Sequence, residues 1–492
     1  MDCRMRLSVS GREFSSLDGS YTIIPVYTEI PVDLDTPVSL YYKLVGDSPG
    51  FMLESAESGK NFGRYSFIGS DPMLRLTAYS DRMEVVADQR RYHIAKSPLT
   101  ALQEVLAGFS CPDFPDLPPF SGGAVGYLSF EAAATWERVR GMSISPEAVL
   151  GQFMICRKIV AMDHLTHTAK LIVLVQPGLH GVQVAYDTAV AELRQMADQL
   201  KQPVLIPAEQ APDSGREPLL PPDDPPIKQS YMEAVRAAKE YIAAGDIFQV
   251  VLSHPFTHPL TAPPFMLYRR LRRINPSPYM FYFNTGNLQI VGASPEMLVK
   301  LQGGKVYSCP IAGTRPRGQT AGQDAALAAE LLADVKECAE HAMLVDLGRN
   351  DIGRISLPGT VAASRLMEVE NFSHVMHIVS EVTGQVDPKY MPTDVLAACF
   401  PAGTVSGAPK CRAMEIINEL ETAARDSYAG SVGYIDFRGN MDTCITIRTM
   451  AIEGDQVTIR AGAGIVADSV PELEYQEIRH KAKALFRVLG GE

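Results

Sequence analysis

Short segments rich in β-branched and aromatic residues recur along the first part of the chain: YTIIPVYTEI (21–30), FMLES (51–55), RYSFIG (64–69), MLRLTAY (73–79), RMEVVA (82–87), RYHIA (91–95), FMICRKIVAMD (153–163) and TAKLIVLVQ (168–176). Each has strand length and composition. A proline-rich stretch at 203–227 interrupts the pattern, because its prolines remove amide donors and push preceding residues away from helix. It predicts an extended linker between a first region, 1–202, and a second, 228–492. Ser230 and Glu233 form a capping-box signature that would open the helix YMEAVRAAKEYIAAG, and Gly245 would end it.

Beyond that helix the strand signals resume in DIFQVVLS (246–253), PYMFYFN (278–284), LQIVGA (288–293), KVYSC (305–309), HVMHIVSEV (374–382), SVGYIDF (431–437), CITIRTM (444–450) and QVTIRA (456–461). A 3.6-residue period predicts helices near 322–347, 407–423 and 469–489. Strands that follow one another through turns, with helices grouped between sets, predict an α+β fold of large antiparallel sheets flanked by helices.

Composition narrows the function. The 492 residues carry 45 Lys+Arg against 57 Asp+Glu, a net charge of −12, which opposes a broad footprint for nucleic acid or an anionic membrane. Anionic ligands would need a local cationic pocket. Eight scattered cysteines with no C-x-x-C pair argue against a zinc ribbon or a disulfide framework, so a reducing cytoplasm is expected. The N-terminus lacks the apolar core of a signal peptide, and no apolar run approaches the ~18 residues of a spanning helix.

Three motifs fall short. Gly462-Ala-Gly464-Ile-Val-Ala467 matches a dinucleotide fingerprint, but a helix takes the place of the second strand and its acidic residue. Its glycines would still let backbone amides approach an anion near a helix start. GTVSGAPK (403–410) resembles a phosphate loop in composition only, and Glu337-Cys-Ala-Glu340-His341 lacks the first histidine of a zinc helix. Another pattern persists. Glu337 and Glu340 share one helical face, and Glu474 and Glu477 repeat the spacing, with Lys481 one turn on. If these helices face each other, the carboxylates suit Mg²⁺ alongside an anionic substrate.

The strings GDIFQVVLS (245–253), PIAGTRPRG (310–318), DVKECAEHAMLVDLGRNDIGRI (334–355), FPAGTVSGAPK (400–410) and AGAGIVADSVPELEYQE (461–477) together resemble the chorismate-utilising enzymes, and among them the anthranilate synthase large subunits. The resemblance implies an active site in a cleft, a Mg²⁺ requirement and chorismate as substrate. It implies Glu340 and Glu477 as metal ligands, with Glu337 and Glu474 beside them. Glu296 would be the general acid for the departing C4 hydroxyl, and His377 would serve loss of the enolpyruvyl group as pyruvate. Thr404 completes the implied catalytic set. Gly313, Thr314, Tyr428, Arg448, Gly462, Ala463, Gly464 and Lys481 would contact substrate, Arg448 and Lys481 through its carboxylates.

Two positions separate the branches of that family. Members that add water carry a lysine where this chain has Gln249, and members that make 4-amino-4-deoxychorismate carry one where it has Ala312. Direct attack of ammonia at C2 is what the resemblance then implies, giving anthranilate through 2-amino-2-deoxyisochorismate. No cysteine has the G-x-C-x-G flanks of a glutaminase nucleophile, so a separate glutamine amidotransferase subunit is expected, in a heterotetramer of two large and two small subunits. Leu53-Glu54-Ser55, with Pro278, Tyr279 and Met280 as the other wall, resembles the feedback site for tryptophan. The rival readings are a 4-amino-4-deoxychorismate synthase and a catalytically silent regulator.

Overall fold

The computed structural model describes residues 7–55, 63–88, 90–177, 181–204, 219–372 and 375–491. Most of the expected linker, 205–218, and the start of the strand expected at 374–382 lie outside them.

The ladders between strands are antiparallel and build two large sheets. The first runs in the order Gln249–Pro259, Gln456–Ile465, Thr449–Glu453, Leu288–Ser294, Tyr279–Asn284, Gly50–Glu54, Tyr65–Ala78, Gly151–Asp163, Thr168–Val175 and Ile24–Pro31. The second runs Arg90–Ile94, Met83–Ala87, Tyr65–Ala78, Gly151–Asp163, Gly123–Leu128, Ser431–Asp436, Met441–Ile445, Met297–Gln302, Lys305–Ser308 and Val375–Gln385, with Ile311–Pro316 and Ala362–Asn371 on the last strand. Tyr65–Ala78 and Gly151–Asp163 therefore belong to both sheets.

The sequence predicts two strands where Tyr65–Ala78 is one. Asp71 sits at φ 58°, and the register slips between Pro72 and Leu74, so the strand bends without ending. The Asp71 carboxylate accepts a 2.6 Å hydrogen bond from Arg157 on the adjacent long strand, fastening the bend. One half pairs with Gly50–Glu54 and the other with Met83–Ala87.

The sheets face each other across an aromatic layer. Phe51 and Phe283 from the first and Val432 and Tyr434 from the second are buried in one cluster with Phe67 and Phe120. Phe120 lies 5.5 Å from Phe67 and 4.6 Å from Tyr434, ring centre to ring centre. Burial of each large ring contributes on the order of 2–3 kcal/mol of transfer free energy. On the opposite face of the first sheet pack helices Pro225–Ala243, Pro264–Ile274 and Pro471–Gly490, while Val335–Gly353 lies on strands Ile311–Pro316 and Val375–Gln385.

Two helix boundaries differ from the sequence reading. The helix expected to open at the Ser230 capping box begins at Pro225 instead, where prolines in the first turn forfeit no intrahelical bond, and Ser230 falls inside it. It ends at Ala243, with Gly245 at φ 83° as expected. The helix expected over 322–347 is two, Ala321–Ala333 and Val335–Gly353, because the Asp334 carboxylate caps the amides of Lys336 and Glu337 and starts a new helix. Among the described residues no helix is long and apolar enough to cross a membrane.

Candidate active site

A cavity of about 530 Å³ opens between the end of the first sheet and the strands Ile311–Pro316 and Val375–Gln385 of the second. Glu296, Ala312, Thr314, His377, Thr404, Tyr428, Arg448, Arg460, Gly462, Gly464 and Lys481 line it. These residues come from positions 296 to 481 and meet only because the sheets fold over one another.

Glu296 lies between two strands, Leu288–Ser294 and Met297–Gln302. Its carboxylate accepts a 2.8 Å hydrogen bond from the hydroxyl of Thr404, which the short turn Gly403–Val405 presents. Burial drives its pKa up to about 7, against the opposing pull of Thr404, Lys481 and Arg448. A carboxyl group in this range is a proton donor at neutral pH.

His377 faces it from strand Val375–Gln385. Gly313, at φ 69° in a bulge of the neighbouring strand, turns its carbonyl to the histidine Nδ1 at 2.8 Å, and the Thr314 hydroxyl lies 3.1 Å from the same nitrogen. With Nδ1 donating to a carbonyl, Nε2 keeps its lone pair. Burial lowers the imidazole pKa, which favours this neutral form. Phe372 closes over the ring edge at 5.2 Å.

The cationic side is built differently. Arg448, at φ 52° between two strands, has no carboxylate within ion-pair distance among the described residues, and burial lowers its pKa. An unpaired guanidinium beside a cavity is a receptor for a carboxylate. Lys481 donates to the Gly462 carbonyl at 3.0 Å and pairs with Glu477 at 2.6 Å. Gly462 must be glycine here: a Cβ would fall 2.7 Å from the Tyr428 hydroxyl and 2.9 Å from the Leu252 carbonyl. Gln249 packs its amide against Gly464 in the same wall.

Residues 462–464 do not approach a helix start. They lie within strand Gln456–Ile465, bound along one edge to Gln249–Pro259, while pairing on the other edge stops at Ile459. Gly462 and Gly464 reach the cavity, and Ala463 is buried in the core. In the stretch 403–410, Lys410 binds Asp351 rather than any phosphate position.

The four glutamates lie beside the cavity. Glu477 contacts Lys481, and Glu340 on the facing helix is near enough for charge repulsion: burial first, then Glu337 and Glu477, raises its pKa. Burial and Glu477 also raise Glu474, against a hydrogen bond from Ser469. Glu337 lies 3.2 Å from where a Gly313 Cβ would stand, joining this group to the histidine's loop. Among the described residues no three His, Cys, Asp or Glu side chains form a ready cage. The donors fit an ion held by one or two carboxylates, waters and an anionic ligand.

Sequence reasoning missed the support behind the cavity. The Glu421 carboxylate accepts from Arg425 at 2.6 Å, Arg460 at 2.8 Å and the Ser253 amide at 2.8 Å, all buried. Arg425 also donates to the carbonyls of Val405 and Val251, fixing the cavity floor. The i,i+4 spacing of Glu421 and Arg425 was visible, but its burial was not.

A second pocket, of about 280 Å³, brings Leu53, Glu54 and Ser55 together with Pro278, Tyr279 and Met280. Tyr279 donates to the half-buried Asp442 at 3.0 Å, and the Ser55 hydroxyl is buried without a hydrogen-bond partner. Pro278 borders both pockets.

Two sheets sharing strands, with an acid, a neutral imidazole and a free guanidinium around one cleft, define an enzyme scaffold for an anionic substrate. The chain belongs to the chorismate binding enzyme family, whose profile matches residues 48–487. An anthranilate synthase component 1 from Acetivibrio thermocellus is 43% identical over 479 residues, covering 95% of this chain and 96% of that protein. Its counterpart from Aquifex aeolicus is 42% identical, covering 99% and 98%. The crystal structure of anthranilate synthase component I from Streptococcus pneumoniae is similar with a TM-score of 0.73 and 36% identity, covering 87% of this chain and 93% of the other. The menaquinone-specific isochorismate synthase of Escherichia coli, at 20% identity and a TM-score of 0.69, shares the fold.

Proposed function

We propose that this chain is the large subunit of an anthranilate synthase, converting chorismate and ammonia to anthranilate and pyruvate through 2-amino-2-deoxyisochorismate. The observation that carries this reading is that no free amine lines the cavity among the described residues. Lys481 is the one lysine lining it among the described residues, and it is tied to Gly462 and Glu477. Ala312 lines the cavity and Gln249 packs on Gly464 beside it; by the resemblance these are the positions at which other branches carry a water-activating base or a competing nucleophile, and neither side chain here can act as one.

Arg448 and Lys481 hold the substrate carboxylates. Ammonia adds at C2 as Glu296 protonates the departing C4 hydroxyl, so that water leaves and the new C2 ammonium gives up a proton to become the amine. His377 Nε2 then takes the C2 proton as the enolpyruvyl group departs and the ring aromatises, and that proton passes to the methylene carbon of the departing enolate to give pyruvate. Glu340 and Glu477, with Glu337 and Glu474 nearby, would hold Mg²⁺, which supplies charge neutralisation between protein and substrate carboxylates.

Ammonia comes from a glutamine amidotransferase subunit in a heterotetramer of two large and two small subunits, in the cytoplasm. Tryptophan binds the pocket of Ser55, Pro278, Tyr279 and Met280 and inhibits the reaction. Its support is the partnerless Ser55 hydroxyl, with Pro278 common to both pockets.

The test is purified chain with chorismate, Mg²⁺ and concentrated ammonium, followed by anthranilate fluorescence and product chromatography. An ortho-aminated product that EDTA abolishes supports the reading. A para-aminated product, or binding without turnover, overturns it.

A further inference from the structure

The second half of the proposed reaction depends on where one imidazole nitrogen points. There the C2–H bond and the bond from C3 to the ether oxygen break. The C–H pair enters the ring, the ether pair leaves on the enolpyruvate oxygen, and His377 Nε2 receives the proton. The Gly313 carbonyl and the Thr314 hydroxyl hold the histidine at Nδ1 alone. The outer torsion of a histidine is broad, so a second contact is needed to fix Nε2.

Phe372 supplies that contact. Its ring meets the imidazole edge to face, at 65° and 5.2 Å between centres, and both side chains line the large cavity. The Phe372 backbone is held on both sides: its amide donates to the Val375 carbonyl at 2.8 Å, and its carbonyl accepts from Arg317 Nη1 at 2.7 Å.

Arg317 stands outside the cavity lining. It follows strand Ile311–Pro316, in which Pro316 pairs with Val375 and Thr314 with His377. Its remaining nitrogens grip Asp324, Nη2 at 2.6 Å and Nε at 3.2 Å. Asp324 lies in the first turn of helix Ala321–Ala333 and also accepts from the Gly318 amide at 2.7 Å. A guanidinium can bridge a carboxylate and a carbonyl in one plane. The ion pair is partly exposed and adds little stability, so its value is in direction.

We propose that Arg317 is a positioning residue for the elimination step: braced on Asp324, it sets the Phe372 ring against His377, so that Nε2 faces the C2 proton and the amino intermediate is consumed before it leaves. This rests on the proposed conversion of chorismate to anthranilate. Glu296, which serves the addition step, is held by Thr404 instead, so the two halves have separate supports.

The test supplies the purified chain with chorismate, Mg²⁺ and ammonium and separates the products by chromatography. Arg317→Met should release 2-amino-2-deoxyisochorismate as about a tenth or more of the product, with chorismate consumption within about twofold of wild type. It should convert supplied intermediate about tenfold more slowly. Arg317→Lys, which cannot bridge both partners in one plane, should fall between. Phe372→Ala should release the intermediate too, and the double variant should be no worse than Phe372→Ala, because both act on one path. Phe372→Leu keeps apolar volume without the aromatic edge and decides the matter if Phe372→Ala does not fold. Equal slowing of both halves, no released intermediate, or additive effects in the double variant overturns the proposal. If the wild-type chain makes no anthranilate, the proposed reaction fails instead.

Discussion

The Thr404 hydroxyl donates to the Glu296 carboxyl across 2.8 Å, and this bond works against the burial that raises the acid's pKa to about 7. A general acid acts while protonated. At constant free ammonia, anthranilate formation should therefore fall as pH rises through about 7. Thr404→Val removes a bond that favours the ionised form, so this limb should move up by about half to one pH unit. A pH profile of kcat/KM checks it, and an unmoved limb would remove Glu296 from the acid role. Glu296→Gln should cost about 100-fold or more in kcat.

The glutamates beside the cavity predict a metal effect on stability. Glu340 has a raised pKa, so its contribution to stability is present at acid pH and is lost as pH rises through that folded-state pKa. Mg²⁺ should restore it, raising the melting temperature at pH 7.5 more than at pH 4.5. Glu340→Gln should shrink this Mg²⁺ response and raise the Mg²⁺ needed for half-maximal activity about tenfold or more. Differential scanning fluorimetry with and without EDTA reads the first effect.

Ser55 offers a separable prediction. Its hydroxyl is buried without a partner in a pocket of about 280 Å³, and a larger side chain would fill that space. Ser55→Phe should weaken tryptophan inhibition by about 100-fold while kcat/KM for chorismate stays within about twofold. Inhibition that survives the substitution would move the regulatory site elsewhere.

Gln249 tests the branch assignment. Its amide packs on Gly464, so Gln249→Lys would set an amine against the cavity wall. The expected outcome is about a tenfold loss of ammonia-dependent anthranilate, with a hydroxylated product appearing on chromatography. Unchanged amination with no new product would deprive position 249 of that role.

Strands were legible wherever β-branched and aromatic residues clustered, and the α+β class followed. Their partners were not: nothing in FMLES indicates that Gly50–Glu54 pairs with Tyr279–Asn284, more than two hundred residues away. The bend at Asp71 was hidden for a similar reason, since Pro72 reads as a break in a strand and here is a kink. Ser230 misled because a local capping signature cannot outweigh prolines that start the same helix earlier. Within the site, Glu296, His377 and Arg448 stood out through the strings they occupy. Glu421 did not, because its partner Arg460 is distant in sequence, and burial of an ion pair leaves no periodic trace.

The two strands held in common by both sheets have a mechanical consequence. Gly50–Glu54 is stitched between Tyr279–Asn284 and Tyr65–Ala78, and Gly123–Leu128 between Ser431–Asp436 and Gly151–Asp163. A chain cut within 203–227 would leave each piece with raw hydrogen-bonding edges matching those of the other. The pieces would behave as complementing fragments, useful only when mixed, rather than as modules that could be transplanted one at a time.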